Sequence, residues 1–211
     1  YCKNRGAVIG LIILVFVIAC AIAAPFAFPR SPWSMVQRPF LPPFEMEGLL
    51  LGTDALGRNV LSGLFHGARV SLLVGLVSTI VALTIGIPIG ACAGYYGNLV
   101  DDFLMRFTEF FQTIPSFALA IVLLAIFQPT LGYVILSIAI VSWPPVARLV
   151  RAEVLSLRNR EFIEAATLSG QSNLRIIWHQ ILPNALPPII VLASLMVATA
   201  ILLESSLSFL G

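Results

Sequence analysis

Five stretches of this chain stay apolar for longer than a soluble core needs. They run over residues 6–27, 70–94, 103–127, 131–149 and 185–210. A helix of about 20 residues crosses the roughly 30 Å of a bilayer's hydrocarbon. The runs are long and continuous, without the short alternation of barrel strands, so helix is the spanning form that satisfies every backbone group in lipid. Composition agrees: 59% of the 211 residues are hydrophobic and 10% charged, against about 25% charged in soluble domains. The expected fold is all-α, a polytopic membrane helix bundle of about five spans.

Charge and cysteine usage exclude other classes. The formal net charge is +2 and the basic residues are scattered, which argues against a nucleic-acid partner. Cys2, Cys20 and Cys92 stand far apart with no CxxC or Cys/His spacing, so neither a disulfide framework nor a zinc site is indicated. The first apolar stretch is too long for a signal-peptide core and has no clear cleavage site. The chain opens at Tyr1 and stops at Gly211, and we expect a fragment lacking both ends.

Basic residues orient the spans. With a cytoplasmic N-terminus, eight basic residues face inward: Lys3, Arg5, Arg106, Arg148, Arg151, Arg158, Arg160 and Arg175. Four face outward: Arg30, Arg38, Arg58 and Arg69. Residues 1–66 then hold the first span and an external loop. Residues 67–211 hold the remaining spans and a long cytoplasmic loop at about 151–183. In the external loop, Thr53 or Asp54 can cap a short amphipathic helix with Leu56, Val60, Leu61, Leu64 and Phe65 on one face. That helix is expected to lie at the outer membrane surface.

The second span carries Ser78, Ala82, Gly86, Gly90 and Gly94 every fourth residue. On a helix they form one small-residue stripe that admits a close neighbour. The neighbour is either a static packing partner or a surface that slides during a transport cycle. Pro88, Pro115, Pro144 and Pro145 interrupt three spans.

The cytoplasmic loop reads as two short helices joined at Gly170. Glu161 and Glu164 sit early in the first, where the helix dipole favours carboxylates. Gly170 can take the left-handed conformation that ends it, and Ser172 can cap the second. Leu174, Ile177, Ile181 and Trp178 are expected on the second helix's apolar face, with Pro183 closing it before the fifth span. Within this loop Glu164, Ala165, Ala166, Gly170, Leu182 and Pro183 match in register the EAA loop of ABC importer permeases, with Gln180 where that pattern has Ile. Further along the chain, LGTDALGR at 51–58, GARVSLLVG at 67–75 and SLSFLG at 206–211 resemble the dipeptide, oligopeptide and nickel permease family, in its second, C-type subunit.

The resemblance implies the type I ABC importer transmembrane fold, with six spans per subunit, in a bacterial or archaeal inner membrane. The last span is then missing here. It implies half of a translocation pathway for di- or oligopeptides, or with the same machinery for nickel or a metal chelate. The implied partners are a homologous permease in a heterodimer, two cytoplasmic ATPase subunits, an external solute-binding protein and membrane lipid. By the same resemblance Glu161, Glu164, Ala165, Ala166, Ser169 and Gly170 form the element that docks in an ATPase groove. Small side chains at Ala165 and Ala166 would let backbone approach that partner. Glu164 either pairs with a basic group or caps its own helix. This chain binds no cofactor in that scheme, and ATP and magnesium belong to the ATPases. A phosphate loop needs Lys before Ser or Thr, and the single lysine is Lys3.

Rival classes fare worse. An ion-coupled secondary transporter needs ionisable residues inside the membrane. Glu204 is the one acid deep in a span, either structural or lining a solute path, and Glu109 lies nearer a span end. An intramembrane enzyme lacks HExxH and GxSxG motifs, and His66 and His179 fall on opposite sides. Nothing reads as a channel's selectivity filter.

Overall fold

The computed structural model describes residues 5–127 and 130–210, the last without its side chain. Cys2, Lys3 and Gly211, which enter the sequence arguments, lie outside the described residues. The described residues are helical apart from one long loop, short connections and two isolated antiparallel bridges. Chain contacts divide them into two compact units, Tyr1–Leu73 and Val74–Gly211. The boundary falls inside a helix.

In the first unit, α1 spans Arg5–Ala27. It is apolar all round and buries only Ala21 and Ala24, while Ile12 and Phe16 are 63% and 67% exposed. Such a helix suits lipid rather than water. The loop that follows is built by specific bonds. Thr53 Oγ1 accepts from the Leu41 amide at 2.9 Å and donates to the Arg38 carbonyl at 2.7 Å. Asp54 accepts from the amides of Leu56 and Arg58 and from Arg58 Nε. These contacts, the Arg58 amide foremost, hold the Asp54 carboxyl below its ordinary pKa. Arg58 also lies over the Trp33 ring, 5.2 Å from its centre.

The short external helix expected from the sequence is not a separate element. Gly57 turns the chain at φ +74°, its amide bonded to the Asp54 carbonyl. Helix therefore cannot start at Thr53 or Asp54. It starts one turn later, where Asn59 Oδ1 accepts from the amides of Leu61 and Ser62 at 3.0 and 3.2 Å. That is an N-cap. The helix it starts, α2, runs unbroken over Val60–Tyr96. Leu56 and Leu64 are exposed and Ser62 is buried, so the expected apolar face is not the buried one.

The second unit centres on α5, Leu131–Leu157. The small-residue stripe of α2 lies against it. A Cβ on Gly86 would sit 2.6 Å from Val146 Cβ, and one on Gly94 2.8 Å from Val154 Cβ. Ser78 and Ala82 are fully buried. Without water to drive association, close backbone approach is what helices gain in lipid.

The span expected at 103–127 is broken. Helix α3, Asn98–Thr113, and helix α4, Ser116–Ile126, meet at 81°. Pro115 has no amide to donate and forces Ile114 into extended backbone, φ −91° and ψ 128°. Asp101, Asp102, Arg106 and Glu109 make α3 amphipathic, while α4 is apolar after Ser116. Phe107 and Phe111 of α3 stack on and meet edge-on the Trp143 ring of α5. Among the described residues four helices are long and apolar enough to cross a membrane, five when α3 and α4 count as one bent span.

The chain then continues through α6, Glu161–Leu168, and α7, Asn173–Ile176, into a π turn, Ile177–Ile181. The π turn runs directly into α8, Leu182–Leu210. Pro183 therefore does not close the second loop helix. A helix accepts proline in its first turn, where the missing donor costs little. Here the wider turn rearranges the bonding: the Leu182 amide reaches back to the Ile177 carbonyl, and the Asn184 side-chain amide donates to the Gln180 carbonyl at 2.6 Å.

Candidate functional site

The segment between α5 and α8 is the most sharply specified part of the chain. Arg160 sits in extended backbone at the start of α6, φ −81° and ψ 147°, and its carbonyl takes the amides of Ile163 and Glu164. Glu161 and Glu164 occupy the first turn, where their charge complements the exposed amides. The Arg160 side chain itself makes no cap bond.

The end of α6 is a Schellman closure. The Gln171 amide bonds the Ala166 carbonyl at 3.2 Å and the Gly170 amide bonds the Thr167 carbonyl at 3.0 Å. Gly170 holds φ +74°, with open space where a Cβ would go. Glycine is needed there for its backbone conformation, not for room. Ser169 adds its hydroxyl to the Ala165 carbonyl at 2.8 Å. Ser172 does stand at the start of α7 with extended backbone, but its hydroxyl makes no cap bond.

Burial divides this segment in two. Ile163 and Ala166 of α6 join Ile176, Ile177, Ile181 and Leu182 in the main core. Glu161, Phe162, Glu164, Ala165 and Leu168 face outward, Leu168 at 89% exposure. The two motif alanines thus point to different places. Ala165 is available to a partner, whereas Ala166 packs into its own chain. Of the expected apolar face of the second loop helix, Ile177 and Ile181 are buried, while the rest differs. Leu174 and Trp178 are 64% and 54% exposed, and Ile176 takes the inward position. The π turn adds a residue per turn, so Ile176 and Ile181, five apart, share one face.

Two polar contacts fasten this segment to the bundle, and a third ties α3 to the end of α5 that leads into it. The Arg158 guanidinium, at the end of α5, donates to the Gly94 carbonyl at 3.1 Å. Tyr95 Oη donates to Asn173 Oδ1 at 3.1 Å. One and a half turns before α5 ends, Arg151 holds Asp101 of α3 in a two-point bond, Nε to Oδ1 at 2.5 Å and Nη2 to Oδ2 at 2.6 Å. Sequence reasoning missed all three. Asp101 and Arg151 are 50 residues apart, and the one available signal was opposite charge at the same expected membrane face.

The remaining singled-out residues lie elsewhere. Glu204 is in α8, 9% exposed, and accepts from the Ser208 hydroxyl at 3.0 Å. Glu109 is exposed on α3. In the first unit a ring nitrogen of His66 meets the Phe28 carbonyl at 3.1 Å. Among the described residues no three His, Cys, Asp or Glu side chains group as metal ligands would.

Comparison with known proteins extends this picture. Residues 86–211 match the family described as the binding-protein-dependent transport system inner membrane component, and residues 1–43 match the N-terminal transmembrane domain of oligopeptide transport permease C. The di/tripeptide transport system permease protein DppC of Pseudomonas aeruginosa is 42% identical over all of this chain and 71% of its own length. The dipeptide permease DppC of Haemophilus influenzae is 36% identical over 99% of this chain and 72% of its own. The oligopeptide permease OppC of the same organism is 40% identical, over 99% and 68%. The apolar helices agree with these matches, and the chain belongs to the family of binding-protein-dependent transport system inner membrane components, as a multi-pass inner-membrane permease subunit of an ABC importer.

Proposed function

We propose that this chain forms half of the translocation pathway of an ATP-driven importer of di- or oligopeptides, and that α6 is its point of contact with an ATPase subunit. The substrate class follows from relatives at 36–42% identity whose names are those of dipeptide and oligopeptide permeases. The observation that carries the docking is the outward edge of α6. Leu168 stands 89% exposed on a short helix that the charge bias assigns to the cytoplasm, beside the small Ala165 and the carboxylates of the first turn. Phe162 and Leu168 are exposed on the same short helix as Ala165, and a partner's groove would cover the three together. The other half of the pathway is a homologous permease, an external binding protein delivers solute, and two ATPases supply ATP hydrolysis with magnesium. This subunit performs no chemistry. ATP-driven closure of the ATPases pushes α6, and the core residues Ile163 and Ala166 pass that push into the bundle.

Paired assays of ATP hydrolysis and peptide uptake in proteoliposomes holding the whole importer test this. Ala165→Glu places bulk and charge on the outward edge and leaves the core untouched, so uptake should fall while ATP binding persists. Unimpaired uptake removes α6 as the docking element. Uptake driven by a proton or sodium gradient without ATP overturns the whole reading, and uptake of nickel chelate in preference to peptide overturns the substrate class.

A further inference from the structure

The corner where α2 meets α3 touches the docking segment at both ends. Gly94, at the end of α2, receives the Arg158 guanidinium three residues before α6 begins. Tyr95, the next residue, bonds Asn173 at the start of α7. Gly97 makes the corner possible: it holds φ +64°, and a Cβ there would meet the Arg158 guanidinium at 3.0 Å. Beyond it, Asp101 in the first turn of α3 is gripped by Arg151 of α5. The exposed fractions of that pair are 35% for the arginine side chain and 14% for the aspartate. Paired forks between guanidinium and carboxylate are directional as well as strong, so the bond fixes α3 in angle and position against α5.

Helix α3 has no covalent path to the docking segment shorter than the whole of α4 and α5. It is also a helix that bends, breaking by 81° from α4 at Pro115. We propose that Asp101 and Arg151 are positioning residues that hand displacement of the docking segment to the broken α3–α4 span, so that this span moves when α6 is pushed. The inference rests on α6 being the docking element. Arg151 and Arg158 lie on one rigid helix end, two turns apart, and move together. What moves Arg158 at the root of α6 therefore moves Arg151, and the fork carries Asp101 with it. The aromatic contacts of Phe107 and Phe111 with Trp143 are apolar and can slide, whereas the fork cannot without breaking.

The test is a charge exchange in the assembled importer: Asp101→Arg, Arg151→Asp and both together, with Asp101→Asn and Arg151→Gln as milder variants. Three quantities are read: co-purification of the complex, ATP hydrolysis, and peptide imported per ATP hydrolysed. The single changes should leave co-purification and ATP hydrolysis in place and lower peptide per ATP by about tenfold, within the range that coupled charge pairs show in double-mutant cycles. The exchanged pair should recover most of that ratio. An unchanged ratio in the Asn and Gln variants overturns the proposal. So does a loss of assembly that the exchange repairs without repairing the ratio, because that is a purely structural bond. Failure of the docking reading looks different: Ala165→Glu would then import normally, whatever the exchange variants do.

Discussion

Replacing Gly90 by alanine adds one methyl group at the tightest point of the α2–α5 contact. The new Cβ would lie 2.8 Å from Val150 Cβ and closer still to the Ala147 carbonyl oxygen, where ordinary contact begins near 3.4 Å. Restoring ordinary contact needs about 0.6 Å at Val150 Cβ and about 1.1 Å at the Ala147 oxygen, which sits 2.3 Å away, and the opposing atoms are backbone and a branched Cβ that cannot swing aside. Overpacking of this kind costs about 1–3 kcal/mol. A helical Gly→Ala change returns up to about 1 kcal/mol through propensity. The net effect at Gly90 is therefore a loss. Gly63 and Gly67, in the first turns of the same helix, have nothing within 4 Å of an added Cβ, so only the favourable term applies there. Gly86→Ala should resemble Gly90→Ala. Gly75→Ala should be milder, because its nearest neighbour at 2.7 Å is an Ile201 side-chain carbon that can rotate. Unfolding midpoints of the purified importer in detergent rank these variants. The expected order of stability is Gly63→Ala and Gly67→Ala at or above the parent, then Gly75→Ala, then Gly86→Ala and Gly90→Ala. A Gly90→Ala importer as stable as Gly63→Ala would refute the claim that this stripe is closed by backbone contact.

Gly170→Asn should import nearly as well as the parent while Gly170→Val loses most uptake, since φ +74° admits asparagine and penalises a β-branched residue by about 1–2 kcal/mol; uptake assays alongside co-purification with the ATPases check this. The depressed pKa of Asp54 means its contribution to loop order is complete above the unfolded carboxylate value and is lost as pH falls through the lower folded value. Protection of residues 52–58 from hydrogen exchange should therefore drop on acidification below about pH 4, and Asp54→Asn should abolish that step.

Span number and type were legible because apolar length is a global property that needs no partner. α1 was read to within one residue, from 6–27 to Arg5–Ala27. The end of α6 was legible too, since a left-handed glycine leaves a local mark. Where the reading slipped, the cause was a bond between distant residues or a competing local one. Thr53 looked like a helix cap, but its hydroxyl is committed to Leu41 and Arg38, leaving the role to Asn59. Pro115 was visible, yet apolar count alone could not say that it splits a span by 81°. The 3.6-residue period placed Ile177 and Ile181 inward correctly, but it also sent Leu174 and Trp178 inward in place of Ile176, because the π turn changes the period there. Ala166 looked equivalent to Ala165 because the motif treats them as a pair, whereas a helix turns about 100° between them and sends one to the core.

The stiff and the compliant parts of the second unit are separable, and their arrangement says how a push on α6 can travel. Helix α5 carries Pro144 and Pro145 without breaking, because the small-residue stripe of α2 closes on the same stretch, at Trp143, Val146 and Val150. A proline-weakened helix clamped along one face by backbone contact bends less than its sequence suggests. Compliance is left at two places, the Pro115 break between α3 and α4 and the π turn before α8. π turns inside α-helices are rare and occur frequently at functional sites. The π turn follows directly on the Tyr95–Asn173 tether, whereas the Pro115 break lies at the far end of α3 from the bond between Asp101 and Arg151. A displacement of α6 therefore meets a rigid α5 on one side and two flexible joints on the other. The helices beyond those joints, α4 and α8, are the ones whose tilt can change while α3 stays forked to α5 and the α2–α5 core stays packed.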